Sequence, residues 1–134
     1  MRLIVDTNVL ITFFWKHNFF EKMLGNIDIE FFSPSYAIEE IEKHKEYIID
    51  KSKIDNDSYN NIKIKLIDKI NFVDVNLYQD FFSSIKLSDD NKDDIDFIAL
   101  AIVIKGIIWS NDKNLKKQDY ALVLSTFEIV DIIE

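Results

Sequence analysis

The 134-residue chain contains no cysteine, only two glycines and a single proline. Without cysteine it has no disulfide framework and no thiolate metal site, and nothing in it points to an oxidising compartment. Sandwiches, small barrels and propellers turn the chain often and draw on Gly and Pro to do so, so these folds are disfavoured. Apolar runs are short as well. The longest, Ile95 to Ile104, is interrupted by Asp96 and falls well below the ~20 residues of a membrane span. The start, Met1-Arg2-Leu3-Ile4-Val5-Asp6, lacks the long apolar region of a secretory signal. These absences lead to the expectation of a soluble, cytoplasmic protein with no membrane partner. Positive charge is in deficit too: 24 acidic against 16 basic residues give −8 at neutral pH, which opposes nucleic-acid binding by bulk electrostatics.

What is present argues for one globular domain over residues 1–134. A hydrophobic content of 48%, with 13% aromatic, can build a core and excludes intrinsic disorder. Leu3-Ile4-Val5 reads as a buried strand with the polar tip Asp6-Thr7-Asn8. Val9-Leu10-Ile11 then begin a helix expected to run through Phe13-Phe14 toward Phe19-Phe20 and to stop at Gly25-Asn26 in a left-handed position. Phe31-Phe32 makes a second strand. Ser33-Pro34 fits an N-cap followed by Pro at the first helical position, opening a stripe of Ile38, Ile41, Lys45 and Ile48.

A polar loop is expected from Asp50 to Asn61, then a helix through Ile62, Leu66, Ile67 and Ile70. Phe72-Val73 with Val75 follow as a strand, and Leu77, Phe81, Phe82 and Ile85 outline a helix behind it. After the polar connection 87–92, Ile95, Ile98, Ala99, Ile102 and Val103 form an apolar helix face that Gly106 ends. Ile107-Ile108-Trp109 and Leu122-Val123-Leu124 complete the strands, and Ser125-Thr126 caps a last helix from Phe127 to Ile133. Strands alternating with helices predict an α/β fold of three layers, α/β/α, around a central parallel sheet.

Such sheets bind ligands at the carboxyl ends of their strands, and two predicted strands end in acids, Asp6 and Asp112. Each acid has an ordinary alternative. Asp6-Thr7-Asn8 can cap a helix, Asp112 can belong to a turn, Asp93, Asp94 and Asp96 can answer a helix dipole, and Glu39, Glu40 and Glu42 can face water. Taken jointly, acids at two strand ends and two helix starts suggest a metal site. Several carboxylates held together repel so strongly that some stay protonated unless a cation neutralises them. Mg²⁺ or Mn²⁺ suits oxygen donors and keeps waters of its own. With His17 and His44 the only histidines, zinc is disfavoured, although His44 lies one helical turn beyond Glu40.

In order along essentially the whole chain, Val5-Asp6-Thr7-Asn8-Val9-Leu10, Glu39-Glu40-Ile41-Glu42-Lys43-His44, Asp94 to Ala101, and Trp109-Ser110-Asn111-Asp112-Lys113 resemble the successive motifs of the PIN domain family. The resemblance implies a single PIN-like nuclease domain with four catalytic, metal-holding acids. These are Asp6; Glu40, which precedes Ile41, with Glu39 as the competing register; Asp94, five residues before the first alanine of Ala99-Leu100-Ala101; and Asp112. Asp96 is an added metal-ligand candidate, or the third acid in a register shifted by two. Many relatives carry a further acid where this chain has Asn114.

The implied activity is that of a Mg²⁺- or Mn²⁺-dependent endoribonuclease hydrolysing RNA phosphodiester bonds, with one or two ions lowering the pKa of a bound water for in-line attack. Thr7, Asn8, Ser110 and Asn111 are candidates to orient carboxylates or waters, against a plain role as turn and cap residues. Lys113, Lys116 and Lys117, with Lys43 and Lys45, are candidates for RNA phosphate contacts, against simple solvation. The size and motifs resemble VapC-type ribonuclease toxins, which implies an antitoxin protein as partner. A free-standing PIN nuclease of RNA processing and a non-catalytic PIN-like protein-binding module stand as alternatives. The aromatics Phe13, Phe14, Trp15, Phe19 and Phe20 belong either to the core or to a surface for the antitoxin or a second copy in a homodimer.

Overall fold

The computed structural model describes residues 1–133. Its strands are β1 (Arg2–Val5), β2 (Glu30–Pro34), β3 (Ile70–Val73), β4 (Ile107–Trp109) and β5 (Val123–Leu124). All pair in parallel, in the order β3-β2-β1-β4-β5. The α-helices among the described residues are α1 (Thr7–Thr12), α2 (His17–Leu24), α3 (Tyr36–Lys43), α4 (Lys45–Ser52), α5 (Asn56–Lys69), α6 (Ile95–Ile104) and α7 (Thr126–Ile133).

The strands sort their side chains by parity, and this builds the expected three layers. Leu3, Val5, Trp109 and Leu124 face a core shared with Val9, Leu10, Phe20, Met23, Ile41, Ile48, Leu66 and Ile129, from α1 to α5 and α7. Ile4, Ile108 and Val123 face the opposite core, formed mainly by Ile98, Leu100 and Phe97 of α6. Both faces being covered explains why these strands read as continuous apolar runs. Phe13, Phe14 and Phe20 are buried, and Phe13 and Phe20 lie 6.0 and 6.1 Å from the Trp109 ring, so most of the aromatic run is core. Trp15 and Phe19 are partly buried against it. Among the described residues no helix is long and apolar enough to cross a membrane.

Several local expectations are corrected. The first helix breaks at Phe13–Lys16, where Lys16 leaves helical geometry (φ −111°, ψ 51°), and the turn brings Phe20 back onto Phe13. Neither glycine is left-handed; Lys53 and Lys105 take those positions (φ 57° and 56°) at the ends of α4 and α6. Gly106 is required for another reason: a Cβ there would lie 2.5 Å from Ile4 Cδ1 and 3.1 Å from the Arg2 carbonyl. Ser33-Pro34 ends β2 rather than starting a helix. Pro34 pairs opposite Val73 at the strand end, where its missing N–H is tolerated, and α3 begins only at Tyr36.

The polar stretch 50–61 is mostly helical. α4 runs to Ser52, and Asp55 caps α5 by accepting from the Ser58 amide at 2.8 Å. Val75 has left β3, and the expected helix behind it is a pair of 3₁₀ turns, Val75–Leu77 and Gln79–Ser84. At α7 the cap is Ser125, in a reciprocal box: the Glu128 amide donates to Ser125 Oγ at 3.2 Å and the Ser125 amide to Glu128 Oε1 at 3.0 Å.

The strand order places a switch point at the centre of the sheet. β1 leads leftward to β2 and β3, and the chain then crosses over through α6 to β4 on the other side of β1. Between β1 and β4 the winding reverses, and the crevice beyond their carboxyl ends is where open parallel sheets take ligands.

Candidate functional site

Asp6 and Ser110 flank that crevice. The Asp6 amide still belongs to the sheet, donating to the Trp109 carbonyl at 3.0 Å, and its own carbonyl accepts from the Val9 and Leu10 amides to start α1. The carboxylate makes no cap hydrogen bond. It is only 7% exposed, and fully buried Ser110 donates to its Oδ2 at 2.6 Å. Ser110 Oγ also accepts from the Asp112 amide at 3.1 Å, so its single proton is free for the Asp6 carboxylate. Burial pushes the Asp6 carboxyl above the ordinary carboxylate range. The Ser110 bond and the Asn8 and Thr7 amides, which lean toward it without reaching cap geometry, pull it back, and the charge of Asp112 pushes it up again.

Asp94 ends the 3₁₀ turn Lys92–Asp94 and precedes α6, likewise without capping it. Its carboxyl is pushed up to about 6, by burial first and then by the charges of Asp6, Asp112 and Asp93. Acids far apart in sequence therefore share one negative field at the end of β1 and β4. Asp112 is exposed and one oxygen accepts from the Asn114 amide at 2.9 Å, so the ordinary turn role also holds for it.

Glu40 reaches the same corner from α3: buried Thr7, next to Asp6, donates its hydroxyl to Glu40 Oε1 at 3.2 Å. Glu39 is exposed to solvent. Asp96 is half-buried and accepts from the Tyr78 hydroxyl at 2.8 Å, so one of its oxygens is already engaged. Asn8 is exposed. Asn111 turns away from the acids, its amide bonded both to Thr126 Oγ1 and to the Thr126 N–H at the start of α7, which is the cap role. His44 is exposed beside Tyr47.

Lysines near the site are mostly committed. Lys116 pairs with Glu128, Lys117 with Asp90, and Lys45 lies over the Tyr59 ring at 5.2 Å; Lys43 and Lys113 are exposed.

One residue was missed by sequence reasoning. Tyr36, the first residue of α3 and one turn before Glu40, packs edge-on against Phe97 with ring centroids 5.9 Å apart. Burial first, then the charges of Glu40, Asp96 and Asp6, push its phenol above its usual range. Its hydroxyl has no hydrogen-bond partner among the described residues. The available signal was the spacing of Tyr36 to Glu40 immediately after a strand end.

The donors that face one another here are hard oxygens with mutual repulsion to relieve, which fits a divalent cation such as Mg²⁺ or Mn²⁺. As they are placed, no group of three or more His, Asp or Glu among the described residues is gathered closely enough to hold an ion.

Fold and site together define a class, the open parallel α/β domain with carboxylates at its topological switch point. The particular family follows from the sequence: a model of the PIN domain matches residues 4–123, and the chain belongs to the PIN domain family. PIN domains are generally nucleases. A chain in the crystal structure of VapBC2 from Rickettsia felis, bound to a DNA fragment from their promoter, is similar in structure, with a TM-score of 0.57 and 16% sequence identity. The likeness covers 93% of this chain and 98% of that one, and at this identity it is a likeness of fold. No curated protein matches the chain.

Proposed function

We propose that the protein is a Mg²⁺- or Mn²⁺-dependent endoribonuclease in which Asp6, Glu40, Asp94 and Asp112 hold the cation, and that it is the toxin of a toxin–antitoxin pair. The observation that carries the catalytic part is that Asp6 and Asp94, both at helix starts, leave those helices uncapped and lie in each other's field beside Asp112. Asp96 is the auxiliary ligand candidate, with one of its oxygens already taken by the Tyr78 hydroxyl. The partner half of the proposal rests on the fold likeness to a VapBC2 chain and on the motifs.

A bound cation supplies charge neutralisation at the phosphodiester and activation of water. The chain's own residues prepare for it. Ser110 fixes the rotation of the Asp6 carboxylate and ties it to the Asp112 backbone. Thr7 does the same for Glu40. Burial of Asp6 between β1 and β4 keeps its charge poorly solvated, so that a cation gains more there than at an exposed acid. The −8 of the chain then opposes RNA less than it suggests, since part of that charge is answered by metal.

The test is cleavage of a mixed RNA pool by the purified protein with Mn²⁺, with Mg²⁺ and with EDTA, alongside calorimetric titration of Mn²⁺. Metal-dependent cleavage is the expected result. Intact RNA together with absent Mn²⁺ binding overturns the proposal in favour of a non-catalytic binding module. Metal-dependent cleavage by a chain whose neighbouring reading frame encodes no partner that inhibits it leaves the free-standing nuclease and removes the toxin.

A further inference from the structure

An open cavity of about 410 Å³ is lined among others by Lys86, Asn91, Lys117, Gln118, Asp119 and Tyr120. One of these residues, Asn91, links it by hydrogen bonds to the segments that carry Asp94 and Asp112. Asn91, 3% exposed, donates from Nδ2 to the Asn114 carbonyl at 3.3 Å, and the Asn114 amide bonds Asp112. The Asn91 carbonyl in turn accepts from the Asp94 amide at 3.0 Å.

Tyr120 is the unusual member. It is 43% exposed, yet it is held at both ends. Its hydroxyl accepts from the Lys86 amide at 2.9 Å, and its backbone amide donates to Gln118 Oε1 at 2.8 Å. Gln118 is itself buried and braced, giving its amide hydrogens to the Leu115 and Ala121 carbonyls and accepting from the Ala121 amide. An exposed aromatic ring locked in place by a buried polar network costs nothing further to order when a flat ligand stacks on it. Lys86 forms no ion pair among the described residues, and Lys117 shares its charge with Asp90 at 3.0 Å. Asp119 offers an acceptor on the same rim. An aromatic wall, a cation and an acceptor in a space of this size match one nucleotide: base, phosphate and base-edge amine.

We infer that this cavity is a nucleotide subsite, taking one nucleotide of a single RNA strand whose scissile phosphodiester lies at the acids, with its base on Tyr120 and its phosphate at Lys86. The inference rests on the nuclease reading for its RNA strand. It adds a binding surface that none of the four acids provides.

The test measures binding of a labelled RNA pentamer to the Asp94→Asn protein, which serves as a non-cleaving background, with Mn²⁺ present. Adding Tyr120→Ala weakens binding by roughly tenfold, the effect of losing one stacked base. Adding Tyr120→Phe keeps the ring and stays within about twofold. Lys86→Ala reduces affinity by a few fold and lowers the slope of log affinity against log salt by about one. Unchanged binding in Tyr120→Ala overturns the inference. So does a loss in Tyr120→Phe equal to that in Tyr120→Ala, which would mean that the hydroxyl tie to Lys86 matters only for the loop. A free ribonucleotide that binds as tightly as the pentamer, or a DNA pentamer that binds as tightly as RNA, overturns the RNA-strand assignment. Cleavage by the otherwise wild-type chain separates the two readings. If it cuts RNA with Mn²⁺ and Tyr120→Ala cuts equally well at subsaturating RNA, the subsite fails and the nuclease stands. If it never cuts, yet Tyr120→Ala loses RNA binding, the nuclease fails and the subsite stands.

Discussion

Acids stand at the starts of helical segments in two regions of this molecule, and they behave oppositely. Away from the carboxyl ends of β1 and β4 they cap. Asp55 accepts from the Ser58 amide, Asp74 from the Asn76 amide, and Glu128 closes a box with Ser125. Hydrogen bonds hold the Asp55 carboxyl below its ordinary range, and the Lys116 and Ser125 bonds hold that of Glu128 down to about 2. At the carboxyl edge of β1 and β4, Asp6 and Asp94 occupy the same local position and cap nothing, and burial together with neighbouring acids pushes both carboxyls up. Asp55 and Asp74 hold the same N-cap position as Asp6 and Asp94. What differs is that the first group lowers the free energy of the folded chain and the second raises it, as the proposed metal-holding role of Asp6 and Asp94 requires.

The largest effect that tests this contrast is on activity. Asp6→Asn keeps the shape and the acceptor for Ser110 while removing the charge, and is expected to reduce metal-dependent RNA cleavage by a hundredfold or more, in the range of losing one electrostatic catalytic group. Asp55→Asn, an acid from the capping region, is expected to leave the cleavage rate unchanged. Equal losses in both would erase the distinction between the regions. Next in size is Ser110→Ala, which frees the Asp6 carboxylate to rotate and leaves the Asp112 amide without its acceptor. An effect of roughly tenfold on cleavage, with a weaker apparent affinity for Mn²⁺, is expected from loss of a group that orients a metal-holding acid. A Ser110→Thr protein, which retains the hydroxyl, should recover part of both if it accommodates the extra methyl.

The strands were legible because burial on both faces leaves no room for polar residues, so Leu3-Ile4-Val5 and Ile107-Ile108-Trp109 stand out and the acids that follow them stand out in turn. Helix interruptions were not. The break at Lys16 and the left-handed Lys53 and Lys105 carry neither Gly nor Pro to announce them, and polar residues 50–61 look like a loop because their helix faces lie in water. At the site, strand ends bring out Asp6 and Asp112 and the family motifs bring out Glu40 and Asp94 as candidates, but what separates Glu40 from Glu39 in the structure is a hydroxyl 33 residues away, that of Thr7. Which of its two roles Asn111 takes, the cap role, could not be chosen from sequence for the same reason. Its partner, Thr126, is 15 residues downstream and belongs to the start of a helix that has nothing to do with the acids. Tyr36 was overlooked because a tyrosine at a strand-to-helix turn looks ordinary until the charges around it are known.

A smaller effect, and a change of sign, comes from stability without metal. Asp94→Asn removes a like charge from the crowded edge and is expected to raise the melting temperature in EDTA at pH 7 by a few degrees, discounted because the group is half exposed. Asp55→Ala removes a cap and is expected to lower it by a similar amount. The same mutation class thus moves the two regions in opposite directions.

The smallest effect is its pH dependence. Asp94 has an ordinary value of 3.8 in the unfolded chain and about 6 when folded, so the folded state keeps a proton that the unfolded state releases between these limits. Its contribution is fully present below about pH 4, declines as pH rises, and is gone above about pH 6. Glu128 has the opposite sign. Its carboxyl is lowered from 4.5 to about 2, so its contribution is present above pH 4.5 and is lost as pH falls toward 2. In EDTA, the melting temperatures of the parent and Asp94→Asn proteins are therefore expected to diverge between pH 4 and 6 and then run parallel to pH 8. Mn²⁺ at pH 7 should close the gap from below, since the parent chain gains a neutralising ion and the variant gains less. A gap of constant size from pH 4 to 8 would mean that Asp94 does not titrate against its neighbours, and the two kinds of helix-start acid would then differ in geometry alone.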